Sequence, residues 1–373
     1  MITVLSVIGT RPEAIKMAPV VGELRRFPNH ICSIVCATAQ HRELLDSVLN
    51  LFDITPDFDL GLMRPSQTLT QVTTAVLAGM EQVFTHVRPD WVLAQGDTTT
   101  VMATGLACYY QHISFGHVEA GLRTGDKFHP YPEEINRVLA DALADLHFAP
   151  TARARDNLLS AGISEKTIHV TGNTVIDALL EIAQRNLPHV EAALAEIPLW
   201  ADRIVLVTAH RRESFGAGFQ QICDALAALA TRYPQVQFVY PVHPNPNVTT
   251  PVHGRLGSIA NISLIEPLEY ATLVHLMKRA YLVLTDSGGI QEEAPAFGKP
   301  VLVLRQVSER PEGIIAGVAH LVGTDPERIV RETCTLLDDE TAYAQMARAI
   351  SPYGDGQASQ RIVKTLLAPP SRT

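Results

Sequence analysis

The chain lacks what a membrane-bound, disulfide-stapled or nucleic-acid-binding protein would display. No run of about 18 apolar residues occurs that could span a bilayer. The first residues, Met1-Ile2-Thr3-Val4-Leu5, carry no basic flank of the signal-peptide kind and read as the start of a strand. A cytoplasmic location with no membrane partner is therefore expected. Cysteine is scarce: Cys32, Cys36, Cys108, Cys223 and Cys334 are five in number, scattered, and free of any C-x-x-C pair. Neither a disulfide framework nor a zinc site is expected, and buried reduced thiols fit a reducing compartment. Positive charge is also short, with 30 Lys and Arg against 39 Asp and Glu for a formal charge of -9. That excludes a non-specific nucleic-acid binder, which needs a basic face. It leaves room for a small anionic ligand, because the basic residues gather near glycine-rich turns. No G-x-G-x-x-G follows a strand, and no H-E-x-x-H or Cys cluster occurs, so neither a nicotinamide cofactor nor a metal is expected.

What is present is regular alternation. The 373 residues are 46% hydrophobic and 18% charged, the profile of a soluble globular protein of about two domains. Short Val/Ile/Leu-rich runs at 2–8, 31–37, 91–95, 113–118, 146–149 and 168–171 read as strands buried on both faces. A second series follows at 204–208, 237–242, 262–265, 281–285 and 301–304. Helical patterns such as 134–147 and 220–231 lie between them. The expected class is α/β, with two Rossmann-like doubly wound domains and a cleft between them. The domains are placed at 1–171 and 172–356, with a helix at 357–373 crossing back to the first. The proline-bearing stretch 186–202, with a helical 190–195, is the least regular part.

In open α/β sheets ligands bind beyond the carboxyl ends of the strands, and polar residues collect there. The first strand runs into Gly9-Thr10-Arg11-Pro12-Glu13, where Thr10 and Glu13 make a capping box and Pro12 suits the first helical position. Capping explains those three but not Arg11, whose charge is unfavourable at a helix N-terminus unless an anion binds; Lys16 lies close by. A second anion site is expected at Thr285-Asp286-Ser287-Gly288-Gly289-Ile290-Gln291-Glu292-Glu293. There paired glycines bring phosphate near backbone N–H groups, although such a pair also serves a plain strand-to-helix turn. Glu293 could accept from ribose hydroxyls, and Arg310 is a candidate partner for the nucleotide. Acid–base candidates are Asp97, Glu119 and Glu133, three carboxylates on one sheet rim, where burial and mutual repulsion would favour a general base. On the helix after Pro132, Ile135, Leu139, Ala142 and Leu146 form an apolar stripe that leaves Glu133 beside Arg137. The second half adds His210-Arg211-Arg212-Glu213 and His243 after buried strands.

Taken together, these segments resemble the non-hydrolysing UDP-N-acetylglucosamine 2-epimerases along nearly the whole chain. The resemblance is carried by the run from Gly9 to Pro19, Thr38-Ala39-Gln40-His41-Arg42-Glu43, Gly96-Asp97-Thr98-Thr99-Thr100 and His117-Val118-Glu119-Ala120-Gly121-Leu122-Arg123-Thr124-Gly125. Gly172-Asn173-Thr174-Val175-Ile176-Asp177, His210-Arg211-Arg212-Glu213-Ser214, the run from Asp286 to Glu293 and Tyr353-Gly354-Asp355-Gly356 complete it. It implies the two-domain fold of nucleotide-sugar glycosyltransferases, a homodimer, and interconversion of UDP-N-acetylglucosamine and UDP-N-acetylmannosamine without a cofactor. The implied route is anti elimination of UDP to a 2-acetamidoglucal and readdition with inversion at C2, in the usual setting of bacterial surface polysaccharide synthesis. Asp97, Glu119, Glu133 and His210 would be catalytic. Arg11, Lys16, Ser287, Gly288, Gly289, Glu293 and Arg310 would hold UDP. Gln40, Gln67, Glu133, Arg211 and His243 match an allosteric UDP-N-acetylglucosamine site of some members, where Glu43 and Ser66 replace a glutamine and an arginine. A hydrolysing epimerase, a glycosyltransferase and a nucleotide-sugar sensor are the alternatives.

Overall fold

The computed structural model describes residues 1–38, 42–62, 64, 66–308, 310–348 and 351–368. The hydrophobic runs become two wholly parallel sheets, because β-branched segments separated by helices can pair only through crossover connections. The first sheet contains β1 (Ile2–Ile8), β2 (Ile31–Ala37), β3 (Phe58–Asp59), β4 (Trp91–Gln95), β5 (Ser114–Val118), β6 (Leu146–Ala149) and β7 (Ile168–Val170). Its seven strands run in the order β3-β2-β1-β4-β5-β6-β7. The second contains β8 (Arg203–Thr208), β9 (Val236–Pro241), β10 (Ile262–Ile265), β11 (Leu282–Thr285), β12 (Val301–Val303) and β13 (Ala319–Leu321). Its six strands run β10-β9-β8-β11-β12-β13. In each sheet the order reverses once, between β1 and β4 and between β8 and β11. Those reversals splay the following loops apart and create the crevice where such folds bind ligands.

The chain divides into two units, Met1–Ala178 with Gly354–Thr373, and Leu179–Tyr353. In the first, Leu5, Val7, Val92, Ala94 and Phe115 of the strands pack against Val76, Met80, Val83 and Phe84 of the Leu69–Val87 helix. In the second, Val205, Val207, Phe238 and Tyr240 pack against Phe219, Ile222, Leu226 and Leu229 of the Ala217–Arg232 helix. Each fully buried side chain of this size contributes roughly 1.5–3 kcal/mol relative to exposure. The last helix, Ala358–Leu367, is joined to the first unit by Asp177, whose carboxylate accepts from the Ala358 and Ser359 amides at 3.2 and 2.8 Å and from the Ser359 hydroxyl at 2.6 Å. A carboxylate from elsewhere in the chain thus caps that helix. No helix among the described residues is long and apolar enough to cross a membrane.

Two strands lie outside the sequence expectation. β3 and β13 have only two and three residues, too few for periodicity to register. The helix expected at 134–147 ends at Leu143, and Leu146 belongs to β6. Its apolar stripe also points the other way. Ile135, Val138 and Leu139 are 41%, 38% and 44% exposed, whereas Glu134, Asn136, Arg137 and Asp141 are buried. The polar face goes inside because its charges find partners there, which removes most of the cost of burying them.

Candidate active site

At the carboxyl end of β1, Thr10 caps the Arg11–Arg25 helix and Glu13 reaches back to it, the expected capping box. Glu13 Oε2 accepts the Gly9 and Thr10 amides at 2.6 and 3.3 Å. Arg11 itself opens the helix, which moves Pro12 to the second helical position. A Cβ on Gly9 would come within 2.8 Å of the Thr100 hydroxyl and 2.9 Å of that of Thr38, so only glycine lets these three turns meet. Arg11 is partly exposed and has no ion-pair partner among the described residues.

Glu119 follows β5 and is 8% exposed, with a left-handed backbone at φ 67. A non-glycine residue there costs about 1–2 kcal/mol, strain that surrounding structure has to hold. Three donors surround its carboxylate. Lys16 Nζ lies 2.6 Å from Oε1, Asn173 Nδ2 donates at 2.9 Å, and the Gln95 amide donates to Oε2. Two residues on, a Cβ at Gly121 would strike the Ala154 carbonyl, and φ there is 88, so the exit from the kink demands glycine. The structure therefore brings Lys16 to Glu119.

Asp97, after β4, is gripped by the helix that follows Pro132. Arg137 Nη2 donates to its carboxylate at 2.6 Å, and Asn136 donates to its carbonyl at 3.0 Å. Arg137 does not pair with Glu133 as the i,i+4 spacing suggested. It lies 3.4 Å from Glu134, which also accepts the Thr124 and Gly125 amides. Glu133 stands partly exposed at the helix start and has no ion-pair partner among the described residues. Asp97 and Glu119 thus each have a cation beside them, and mutual repulsion is not what governs this rim.

Beneath the rim, His117 is wholly buried, between Asp141 at 2.6 Å and the Gly96 carbonyl at 2.7 Å. Asp141 also faces Arg123 at 2.7 Å. Spacing along the chain gave no sign of this group, nor of Gln95 and Asn173, although all of these but Asp141 lie in or beside the segments that carry the family resemblance.

In the second unit, Asp286 is fully buried and accepts the amides of His210 and Arg211, each at 2.7 Å. It thereby fixes the turn after β8 against the turn after β11. Its Oδ1 lies 3.6 Å from His210 Nδ1, and the His210 ring stacks on His243 with centroids 5.6 Å apart. Burial, with His243 and Arg211, holds the His210 imidazole below its ordinary value against the opposing pull of Asp286. A Cβ on Gly288 would lie 3.7 Å from Arg211 Nη2, so that guanidinium overhangs the glycine pair. Ser287 is partly exposed at the start of the Gly288–Glu293 helix, with no side-chain cap bond, and Gly289 is exposed beside it. Glu293 is buried at the end of that helix. Arg310 forms an ion pair with Glu292, and Ser308 links the Arg310 amide to Gln291. In the first unit, Gln67 donates to the Leu62 carbonyl at 3.0 Å and accepts from the Arg64 amide at 2.8 Å. Gln40 lies outside the described residues. Among the described residues no cluster of His, Cys, Asp and Glu could hold a metal ion.

Comparison with known proteins places this arrangement in a family. A family model for UDP-N-acetylglucosamine 2-epimerase matches residues 23–367. The UDP-N-acetylglucosamine 2-epimerase of Salmonella typhimurium is 55% identical over 368 residues, covering 97% of this chain and 98% of that protein. That of Escherichia coli K12 is 54% identical over 368 residues, with coverage of 97% and 98%. The crystal structure of the Neisseria meningitidis enzyme bound to UDP-GlcNAc superposes with a TM-score of 0.89 at 49% identity, covering 98% of this chain and 99% of that one. Two parallel sheets with one reversal each, carboxylates on the first rim and a clamped histidine–arginine turn on the second are what this family's sequence builds here, and the chain belongs to the UDP-N-acetylglucosamine 2-epimerase family.

Proposed function

We propose that the protein interconverts UDP-N-acetylglucosamine and UDP-N-acetylmannosamine by eliminating UDP and adding it back, without releasing free sugar. The observation that carries this reading is Glu119, buried at the carboxyl end of β5 and held by Lys16, Gln95 and Asn173. The hydrogen at C2 is weakly acidic, so a base can remove it only while the C1–O bond is already breaking. Glu119 or Glu133 takes that proton, and Asp97 supports. A carboxylate solvated by fixed donors needs no rearrangement of water as its charge changes. Arg11, Ser287, Gly288, Gly289, Glu293 and Arg310 hold UDP, with Lys16 neutralising charge on the first rim. His210, neutral at pH 7, is available to donate to the departing phosphate. The elimination is anti, and the intermediate is the 2-acetamidoglucal. Retention of UDP beside it allows readdition to the opposite face in preference to hydrolysis.

Incubation with UDP-N-acetylglucosamine in heavy water should yield UDP-N-acetylmannosamine deuterated at C2. Free N-acetylmannosamine would mean a hydrolysing enzyme, and no reaction would leave a transferase or a sensor. Loss of Glu119 or Glu133 as a base should lower the rate about 100- to 10,000-fold. Wild-type C2 exchange in both Glu119→Gln and Glu133→Gln would sink the assignment.

The active form is a homodimer in this reading. Support comes from the outward face of the Glu133–Leu143 helix, where Ile135, Val138 and Leu139 are exposed. An exposed apolar helix face ordinarily marks an interaction site.

A further inference from the structure

Beneath the rim lies a line of buried charge that the reaction above does not use. The His117 Nε2 faces the Gly96 carbonyl oxygen at 2.7 Å, an atom with no proton to give. Its Nδ1 faces Asp141 Oδ1 at 2.6 Å. Asp141 Oδ2 lies 2.7 Å from Arg123 Nη2 and accepts the Gly121 amide at 3.3 Å, surroundings that require an ionised carboxylate. Both ring nitrogens must therefore donate, and a ring that donates from both is an imidazolium.

We propose that Asp141 and a permanently protonated His117 are positioning residues that set the working geometry of Glu119 and Asp97 together. Asp141 grips the chain two residues before Glu119, through the His117 ring, and two residues after it, through the Gly121 amide. The left-handed backbone at Glu119 is held at both ends. His117 also reaches across to β4 and holds the carbonyl of Gly96, the peptide that leads into Asp97. One buried carboxylate is thereby linked to both acidic groups of the rim. This inference rests on the assignment of Glu119 and Asp97 to the sugar chemistry.

The charged groups around His117 decide how it responds when that carboxylate is removed. Burial works against the cation; Asp141, the Gly96 carbonyl and, more weakly, Asp97 outweigh it and raise the ring above its ordinary value. Arg123 faces it from beyond Asp141. His147, on β6, bonds the Asp141 carbonyl at 2.8 Å, and burial, with His117 adding to it, holds that ring below its ordinary value. In Asp141→Leu the cost of burial stays and the main attraction goes, so the ring gives up its proton at neutral pH. Its Nδ1 and the Gly121 amide then have no partner at position 141, and the turn at Glu119 is held at neither end. Asp141→Asn differs: its amide NH2 donates to Nδ1 of a neutral ring that keeps Nε2–H on the Gly96 carbonyl, and its oxygen still accepts the Gly121 amide.

The test compares wild type with Asp141→Leu and Asp141→Asn for kcat, KM and C2 deuterium exchange. Displacement of the rim by about 1 Å should lower kcat of Asp141→Leu roughly 100-fold. KM for UDP-N-acetylglucosamine should stay within about twofold, since the UDP contacts are elsewhere. Asp141→Asn, which restores the grip on both sides of Glu119, should recover most of that kcat. Wild-type kcat in Asp141→Leu, or no recovery in Asp141→Asn, overturns the proposal. Glu119→Gln in the same assay keeps the two readings apart. If Glu119→Gln is inactive and Asp141→Leu is normal, only this inference falls; full exchange in both Glu119→Gln and Glu133→Gln removes the chemistry beneath it. Should Asp141→Leu fail to fold, nitrogen-15 NMR of the wild-type protein decides the matter. Two protonated ring nitrogens on His117 at pH 8 support the proposal, and a neutral ring overturns it.

Discussion

Glu13 is 2% exposed at the first turn of its helix, and burial pushes its carboxyl up to about 7 against the opposing bonds from Gly9, Thr98 and Thr10. The folded chain therefore keeps a proton there that the unfolded chain gives up near pH 4.5. The stabilisation from that proton is complete below the unfolded value and is lost as pH rises through about 7. A shift of this size corresponds to about 3 kcal/mol. Glu13→Gln should flatten the fall in unfolding free energy between pH 5 and 7, measured by urea titration against wild type, and should be the more stable form at pH 8. An unchanged slope would remove Glu13 from that role. The capping box containing this residue was legible in the sequence because its partners stand three apart. The His117–Asp141 pair was not, because its residues are 24 positions apart and meet only once β5 and the following helix are in register. The same holds for Lys16 and Glu119, which are separated by 103 positions.

Among the elements, most strands could be read in advance, since buried parallel strands are apolar throughout and need no alternation to be seen. The Glu133–Leu143 helix was misjudged in orientation. Hydrophobic periodicity identifies an apolar face but not what covers it, and here the buried face carries Glu134, Arg137 and Asp141. The Ala358–Leu367 helix depends on a partner that no local rule would find. Asp177→Ala removes its cap and leaves buried amides without an acceptor, which should cost about 1–2 kcal/mol. Hydrogen exchange at residues 358–367 should then accelerate ahead of global unfolding. Exchange unchanged there would show that side-chain packing alone holds the helix.

For the molecule as a whole, Val138→Asp and Leu139→Glu on the outward apolar face should shift the protein from dimer to monomer in light scattering, with the fold retained in circular dichroism. A monomeric wild type would remove the homodimer from the proposed function. The thiols make a second global prediction. Cys36, Cys108, Cys223 and Cys334 are buried, and burial pushes the Cys36 and Cys223 thiols up to about 12 and 11. A disulfide reagent should therefore label only Cys32 in the native protein, whereas urea should expose all five.

The bond from Asp177 to Ser359 spans 182 positions and encloses the entire second unit, Leu179–Tyr353. On the ribosome the consequence is an inverted order of completion. The second unit is synthesised whole while the first still lacks its last helix. Until residues 358–367 emerge, the Arg11–Arg25 helix, against which they pack, presents uncovered apolar surface to the cell. That helix is thus made long before its cover, and a ribosome that stalls late leaves it the part of the nascent chain most in need of a chaperone.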